Sequence, residues 1–313
     1  MKTFHLSYPH NLPFETLPET VAAIGFFDGI HKGHQEVIET AIKHAKEKNM
    51  ESAVITFHPH PSVVLRPNKQ KAKYITPLSQ KQEILQKIDV DRLYVITFNE
   101  ELSKLSPQAF VDHFIVGLHI KHLVAGFDYT FGHKGAGNMD NIDEMTQDRF
   151  TYTTVGKVID HEEKVSSTKI RKLLKDGNIE AVNDLLGRPL ATKGKVISGD
   201  QRGRELGYPT ANLCIDEDTM LPKRGIYAVK VHYKTLTYIG LASLGINPTF
   251  TPDSNEEKLE VHILDFGKEI YGEQLTIEWH KFLREEKNFN NVSDLIDQMK
   301  EDERVTREMF FKS

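Results

Sequence analysis

The stretch VAAIGFFDGIHKGH, residues 21–34, decides the fold of the first half of this chain. Its apolar beginning has the composition of a buried strand, and the amphipathic segment 35–48 that follows has the spacing of a helix. Together they predict a βα unit. Similar strand patterns recur at 52–57, 92–98 and 122–127, and helical patterns at 79–88, 107–118, 167–175 and 179–186. Strands that alternate with helices indicate a parallel sheet covered on both faces.

The second half has a different pattern, in which short apolar stretches are separated by Gly, Pro, Asn and Asp. We expect strands at 194–198, 226–233, 238–244, 259–266 and 275–282. Strands without helices between them predict a small antiparallel β-barrel. A helix is expected to follow, with Ser293 as its N-cap and Phe311 near its end. The sequence therefore predicts two domains, residues 1–186 and 187–313.

The composition is that of a soluble globular protein. The 313 residues include 40 Lys and Arg against 45 Asp and Glu, which gives a net charge of -5 and disfavours a general nucleic-acid-binding surface. Cys214 is the only cysteine, so no intramolecular disulfide can form and a reducing, cytoplasmic location is expected. The N-terminus has no secretory pattern, and glycines and prolines interrupt the longest uncharged stretch, 235–252. We expect neither a targeting segment nor a membrane span.

Residues 25–34 have the chemistry of a phosphate-binding turn. The first backbone N–H groups of a helix attract anions. His31 and His34 can contact a triphosphate, while Gly33 lets a flat base approach the backbone. ATP is the predicted ligand. The alternative is a simple turn followed by two solvated histidines.

Two later segments have related chemistry. The glycine-rich segment 126–138 follows a predicted strand at the carboxyl end of the sheet, where ligands of such folds bind. In the segment 166–171, Ser167 and Arg171 share a helical face, so a hydroxyl, backbone amides and a guanidinium could converge on one phosphate. Each segment alone could instead be an ordinary loop or an ordinary helix cap.

The sequence FHPHP, residues 57–61, invites a zinc site with His31 and His34. No cysteine or nearby carboxylate completes such a ligand set, so we favour a place for His60 near phosphate.

In this order, the three phosphate-binding segments resemble the nucleotidyltransferase superfamily, and in particular its FMN adenylyltransferase branch. The resemblance implies a Rossmann-like α/β fold and adenylyl transfer from ATP, with His31, His34 and Arg171 as catalytic residues. It implies ATP contacts at Gly25, Phe27, Asp28, His31, Gly33, His34, Ser167, Thr168 and Arg171. It implies FMN contacts at Asp128, Phe131 and His60. One departure is the stretch 135–137, which lacks the basic residue that relatives often carry between the glycines.

The second half contains another candidate phosphate site. Residues 199–207 contain three glycines spaced four apart, and Arg202 or Arg204 could add charge beside ATP phosphates. Thr210 and Asn212 alternate along one strand face and offer two oxygen ligands for Mg²⁺. The alternative is a glycine-rich hairpin, which would explain the glycines but not the alternation of Thr210 and Asn212 beside them. Further on, Glu260 could take a proton from a hydroxyl that attacks phosphorus, although in isolation it would be an exposed strand residue.

These segments resemble riboflavin kinase across nearly the whole second half. The resemblance implies that Thr210 and Asn212 hold Mg²⁺ and that Glu260 is the general base. It implies ATP contacts at Gly199, Arg202, Gly203, Gly207, Pro209, Thr210 and Asn247.

The whole chain is thus similar to the prokaryotic bifunctional riboflavin kinase/FMN adenylyltransferase family. The resemblance implies that ATP, riboflavin and FMN are substrates, that FAD is the final product, and that Mg²⁺ is required. We expect small-molecule partners, no nucleic acid or membrane, and a monomer or weak homo-oligomer. The alternatives are that only one module is active, or that the scaffold is a noncatalytic flavin- or RNA-binding regulator.

Overall fold

The computed structural model describes residues 1–65, 72–160, 163–199, 207–246, 257–289 and 291–311. The chain divides into two compact units, Met1–Ser167 and Thr168–Ser313. The domain boundary predicted after residue 186 lies further along the chain and stays a prediction. None of the described helices combines the length and the apolar character needed to cross a bilayer.

A six-stranded sheet, in which every neighbouring pair is parallel, forms the centre of the first unit. The strands of this unit are β1 Lys2–Leu6, β2 Thr20–Ile24, β3 Glu51–His58, β4 Arg92–Thr97, β5 Ile120–Gly126, β6 Thr130–Phe131, β7 Gly137–Asn138, β8 Thr151–Val155, β9 Ile159–Asp160 and β10 Glu163–Lys164. The sheet order is β1-β4-β3-β2-β5-β8, while β6 with β7 and β9 with β10 form small separate pairs. The predicted parallel α/β fold is confirmed, and β2 lies in its interior.

The helices of the first unit are α1 Lys32–Lys48, α2 Pro61–Leu65, α3 Leu78–Lys87, α4 Glu100–Ser103, α5 Pro107–Val111 and α6 Asp143–Thr146. The helical segment predicted over 107–118 is present, as α5 followed by a wider π-helical turn, Asp112–Val116. The backbone leaves no space for a side chain where this turn ends, because a Cβ on Gly117 would lie 2.4 Å from the carbonyl oxygen of His113.

The alternation of side chains along β2 divides the core between the two faces of the sheet. Ala22 and Ile24 pack into the cluster that contains Phe110 and Phe114. The intervening β2 residues pack on the opposite face, in a cluster that includes Val37 and Ile38 of α1. This double burial fixes the position of β2 and of the turn that leaves it.

A closed six-stranded antiparallel barrel, in the order β11-β12-β15-β14-β13-β16, dominates the second unit. Its strands are β11 Leu190–Ile197, β12 Ala211–Cys214, β13 Gly225–Tyr233, β14 Leu236–Ile246, β15 Glu257–Ile263 and β16 Gln274–Arg284. Its helices are α7 Ser167–Asp176, α8 Ile179–Leu186 and α9 Val292–Phe311. The barrel and the terminal helix confirm the predicted fold class. Inside the barrel, the indole Nε1 of the fully buried Trp279 donates to Thr192 Oγ1 at 2.9 Å.

Partly buried polar contacts attach α8 and α9 to the strands of the barrel. On α8, Asn183 donates from Nδ2 to the carbonyl of Trp279 at 2.8 Å and accepts from the amide of Leu190 at 2.8 Å. On α9, Asp302 receives the Arg284 guanidinium through Nε at 3.0 Å and Nη2 at 2.7 Å.

The predicted N-cap of the last helix is wrong. Helix α9 begins at Val292, so Ser293 already lies inside it. The side chain of Asn291 accepts from the Asp294 amide at 2.8 Å instead. Asn and Ser are both good N-cap residues, and here it is the earlier one that reaches the open amide.

Candidate active sites

The turn that leaves β2 has an unusual backbone. Phe27 and Ile30 have φ values of 52° and 40°, in the left-handed region that ordinary side chains avoid. Such residues cost about 1 kcal/mol or more each. Both side chains are almost completely buried, at 2% and 0% exposure, so core packing offsets this cost. A Cβ on Gly25 would lie only 2.8 Å from the Phe27 ring, which requires glycine there.

Two stacked imidazoles follow this turn at the start of α1. His31 is the N-cap residue, and its Nδ1 accepts from the His34 amide at 3.3 Å. The His31 and His34 rings lie 3.6 Å apart with an interplanar angle of 18°. Burial, followed by the charges of His31 and Lys81, holds the pKa of His34 well below its usual value. His34 is therefore neutral at pH 7, and its buried Nδ1 has no hydrogen-bond partner among the described residues.

Asp28 connects this turn to two other segments. Its carboxylate accepts from the amides of Ile75 and Thr76, at 3.3 and 3.0 Å, and only 2% of the residue is exposed. Its backbone carbonyl accepts from Ser167 Oγ at 2.8 Å, which joins the first and third predicted motifs. These contacts give Asp28 a part in holding the turn. Direct contact between Asp28 and ATP stays a prediction.

A cavity of about 800 Å³ opens at the carboxyl ends of the strands. Its wall brings together many of the residues predicted from sequence: Gly25, Phe27, His31, Gly33, His34, Asp128, Phe131 and Ser167. Thr168 and Arg171 follow Ser167 in α7, beyond the division between the units, and their contacts with phosphate stay predictions.

His60 is not among the residues that line this cavity. Its ring packs edge-on against Phe26, with 4.4 Å between centroids, and its Nδ1 lies 2.8 Å from Ser62 Oγ. Its predicted contact with FMN phosphate stays a prediction.

An ion pair that the sequence did not indicate borders the same cavity. The Lys164 ammonium contacts the Asp128 carboxylate, and both residues line the wall. The ammonium also lies 4.7 Å from the centroid of the Phe127 ring. The pair leaves the predicted FMN site with a carboxylate whose charge is balanced by its neighbour.

The glycine-rich segment 126–138 contributes a tight loop to the cavity wall. Its ends pair as β6 and β7, and Lys134 between them has a left-handed φ of 55°. Lys134 and His133 both line the cavity. The basic residues of this loop therefore precede the glycine pair at 135–137.

In the second unit, Thr210, Asn212 and Glu260 lie together on the barrel. Asn212 of β12 is the register partner of Glu260 of β15. Thr210 Oγ1 donates to Glu260 Oε2 at 3.2 Å, and the Lys258 ammonium lies 2.7 Å from Oε1. Each carboxylate oxygen therefore has its own partner. Lys258 was missed by sequence reasoning, although its position two residues before Glu260 places both on one strand face.

Asn212 has the features of an oxygen ligand. The residue is buried, at 6% exposure, and its Oδ1 has no hydrogen-bond partner among the described residues. Its other amide atom packs against Gly199, where a Cβ would lie 2.0 Å from Nδ2. With the Thr210 hydroxyl, this oxygen fits the hard oxygen ligands that Mg²⁺ prefers. In the described parts of the chain, no cluster of three His, Cys, Asp or Glu side chains is arranged to hold a metal.

The backbone before β12 is also held in place. His262 Nδ1 lies 2.8 Å from the Pro209 carbonyl, and its ring centroid is 5.1 Å from that of Tyr208. Gly207 has a φ of 82° at the edge of the described chain. Three residues predicted to contact ATP lie outside the described residues: Arg202, Gly203 and Asn247.

Comparison with known proteins covers both units. Residues 14–169 match the family model of FAD synthetase, and residues 186–310 match that of riboflavin kinase. A bifunctional riboflavin kinase/FMN adenylyltransferase of Listeria monocytogenes is 48% identical, over 100% of this chain and 99% of that protein. A protein of the same description from Bacillus subtilis is 42% identical, over 96% of each chain.

A solved structure has the same fold along nearly the whole chain. A crystal structure described as a macrolide-efflux protein from Streptococcus pneumoniae is 35% identical and covers 97% of this chain and 98% of that chain, with a TM-score of 0.88.

Proposed function

The chain belongs to the family of bifunctional riboflavin kinases/FMN adenylyltransferases, and on that basis we propose how its residues divide the two reactions. The enzyme phosphorylates riboflavin to FMN with ATP and then transfers the adenylyl group of a second ATP to FMN, giving FAD and pyrophosphate. We assign adenylyl transfer to residues 1–186 and phosphorylation to residues 187–313, which contain the barrel.

In adenylyl transfer, an oxygen of the FMN phosphate attacks the α-phosphorus of ATP. The bond from that phosphorus to its bridging oxygen breaks, and pyrophosphate leaves. His31 and His34 contact the phosphate chain and stabilise the charge that develops on the leaving group, together with Ser167, Thr168 and Arg171. The neutral state of His34 lets its ring act as a hydrogen-bond donor without the cost of burying a charge.

The FMN side of the same cavity is assigned to Asp128 and Phe131 on its wall. His60, which does not line the wall, is assigned as a further FMN contact. Apolar side chains provide most of a surface suited to a flat aromatic ring, and Lys164 balances the charge of Asp128 near the incoming phosphate. The observation that carries this half of the proposal is the stacked imidazole pair on the cavity wall.

In the kinase reaction, Glu260 takes the proton from the primary hydroxyl of riboflavin as that oxygen attacks the γ-phosphorus of ATP, and ADP leaves. Thr210 and Asn212 would hold Mg²⁺, which when bound neutralises phosphate charge and orients the transferred group. The segment from Gly199 through Arg202 and Gly203 to Gly207, with Pro209 and Asn247, is assigned to ATP. The observation that carries this half is the Asn212 Oδ1 opposite Glu260, which has no hydrogen-bond partner among the residues that the structure describes.

The same proposal places the enzyme in the cytoplasm, as a monomer or weak homo-oligomer with small-molecule partners and no nucleic acid. The single cysteine and the mild net charge support this placement.

The division of labour is tested with two separate assays on each purified variant: riboflavin, ATP and Mg²⁺ for FMN formation, and FMN, ATP and Mg²⁺ for FAD formation. We expect Glu260→Ala to abolish FMN formation and to leave FAD formation largely intact. His31→Ala should do the reverse. Equal loss of both activities in a folded variant would contradict the assignment.

The stretch 135–137 motivates a second candidate, a protein with one active module. The two assays on the wild-type protein decide between them, because FMN as the only product, or no turnover until FMN is supplied, would favour the second candidate.

A further inference from the structure

A buried lysine that the reactions above do not use contacts the backbone of the phosphate-binding turn, residues 25–34. Lys81, on α3, is only 3% exposed. Its ammonium donates to the carbonyl of Phe26 at 2.6 Å and to Thr56 Oγ1 at 3.1 Å. It also lies 4.9 Å from the centroid of the Phe26 ring. Burial of an ammonium group is costly unless its donors are used, so this arrangement joins α3, β3 and the turn by polar contacts.

The three groups form a closed set of hydrogen bonds. Thr56 Oγ1, which accepts from Lys81, itself donates to the Phe26 carbonyl at 2.9 Å. The Phe26 carbonyl therefore receives two donors just before the left-handed residue Phe27. The Phe26 peptide lies at the start of the turn that leads to His31. Its orientation therefore affects the positions of the His31 and His34 rings.

The charge of Lys81 also affects this turn electrostatically. Burial lowers the pKa of Lys81 to about 8, and the nearby Asp28 carboxylate opposes that change. Lys81 is therefore cationic at pH 7, and its charge contributes to the low pKa of His34. Lys81 is not among the residues that line the cavity, so its charge affects the cavity through the turn.

We propose that Lys81 is a positioning residue for adenylyl transfer, whose ammonium fixes the Phe26 carbonyl and thereby the turn that presents His31 and His34. This inference rests on the proposed role of the imidazole pair. A misplacement of about 1 Å at reacting groups can cost on the order of 10²-fold in rate. The position of this turn therefore matters even though Lys81 does not touch the substrate.

The test compares Lys81→Met with Lys87→Met, which changes an exposed lysine at the end of the same helix. We expect Lys81→Met to lower kcat for FAD formation by about 10- to 100-fold. Lys87→Met should leave it within about twofold, the size of an ordinary surface effect. FMN formation by the same chain, assigned to the other unit, gives the amount of active protein in each sample.

A pH profile separates a positioning role from a general loss of folding. The titratable groups that contribute to the local field are Asp28, His31 and His34. In the wild type, kcat for FAD formation should fall above about pH 8 as the Lys81 ammonium loses its proton, and this fall should be absent from Lys81→Met. FMN formation provides the control profile. An unchanged kcat with the wild-type alkaline limb in Lys81→Met would overturn the inference.

A milder variant keeps the test decisive if Lys81→Met destabilises the first unit. Thr56→Val removes one of the two donors to the Phe26 carbonyl while it keeps the side-chain shape and the ammonium. We expect a several-fold fall in kcat for FAD formation, and no fall would contradict the role of this carbonyl. If His31→Ala and His34→Ala also leave FAD formation intact, the proposed function itself is wrong. If they abolish it and neither Lys81→Met nor Thr56→Val lowers it, only this inference fails.

Discussion

The two proposed sites would handle the charge of ATP in opposite ways. In the first unit, we assign the chemistry to the neutral, half-buried His34 and its stacked neighbour His31, in a mostly apolar cavity formed at the carboxyl ends of parallel strands. In the second unit, we assign it to Glu260, whose carboxylate lies between Lys258 and Thr210 on a barrel strand. In this proposal, the first arrangement has its donors in place before the nucleotide binds. The second would supply oxygen atoms to Mg²⁺, which would provide the positive charge.

The largest effect should come from removing one of the preformed imidazole donors. We expect His34→Ala to lower kcat for FAD formation by about 10² to 10³, the usual cost of losing one donor to a developing charge. FMN formation should stay at its wild-type rate. Lys43→Ala is a matched control, because that side chain lies on the same helix and is 75% exposed. A normal rate of FAD formation by His34→Ala would show that the buried pair is structural.

The second site should respond through its metal requirement. Asn212→Ala removes the buried Oδ1, which no described residue contacts by a hydrogen bond. We expect kcat for FMN formation to fall by about 10²-fold, because such an ion usually contributes several kcal/mol of charge stabilisation. The Mg²⁺ concentration for half-maximal rate should rise about tenfold or more. Cys214→Ala, two residues further along the same strand and exposed, is the control.

The comparison is weakened if Asn212→Ala keeps the wild-type response to Mg²⁺. In that case the charge of ATP would be neutralised by other groups in the second unit, and Asn212 would only support the strand. Measuring FAD formation across the same Mg²⁺ range shows whether the change is confined to one site.

A smaller effect is expected at the ion pair beside the general base. Lys258→Met removes the partner of Glu260 Oε1 while Thr210 still holds Oε2. Because partly exposed ion pairs contribute about 1 kcal/mol or less, we expect about a fivefold fall in kcat for FMN formation. Lys268→Met, at an exposed position outside the strands, should leave kcat for FMN formation unchanged. An unchanged kcat in Lys258→Met would exclude a contribution of this ion pair to the reaction.

The sequence predicted the parts of these sites whose signals are local. A buried strand, a glycine and a helix start follow one another over residues 21–34, so this turn could be recognised without its surroundings. Likewise, the alternation of Thr210 and Asn212 is visible in the sequence, although Thr210 lies one residue before β12. The edge strands β1 and β8 were missed because edge positions leave polar residues in the pattern.

The missed contacts depend on segments that are distant in the sequence. Nothing around Lys81 marks it as buried, because its partners Phe26 and Thr56 belong to other elements. Asp28 was predicted to contact ATP, and its interactions with Ile75 and Thr76 could be found only in the folded chain. Sequence reasoning thus identified residues at the reacting end of each site more readily than the residues that hold them.

The smallest expected effect extends the comparison from the sites to the stability of the two units. In the first unit, burial, followed by the charges of His44 and Lys48, lowers the pKa of His122 to about 4. An unfolded histidine takes up its proton near pH 6.5. The unfolded state therefore binds more protons than the folded state as pH falls below that value, and the free energy of unfolding decreases.

In the second unit, the carboxylate of Glu278 lies 2.9 Å from His232 Nε2 and 3.5 Å from His280 Nε2. The interaction with His280 is the main cause that lowers the pKa of Glu278, and His232 adds to it, against the effect of burial. This contribution is present above about pH 4.5 and is lost only as pH falls through the lower folded value. Between pH 7 and pH 5, acid should therefore weaken the first unit before the barrel.

We expect His122→Gln to reduce the loss of stability of the first unit between pH 7 and pH 5 by about 1 kcal/mol, because glutamine does not titrate and still offers polar atoms to Thr151 and Thr153. Urea unfolding of the barrel can be followed by the fluorescence of Trp279, the only tryptophan of the chain. Pulse proteolysis with assigned fragments follows the first unit. His5→Gln, at an exposed position, is the control. If His122→Gln and His5→Gln lose stability equally on acidification, the buried neutral imidazole is not what makes the first unit acid-sensitive.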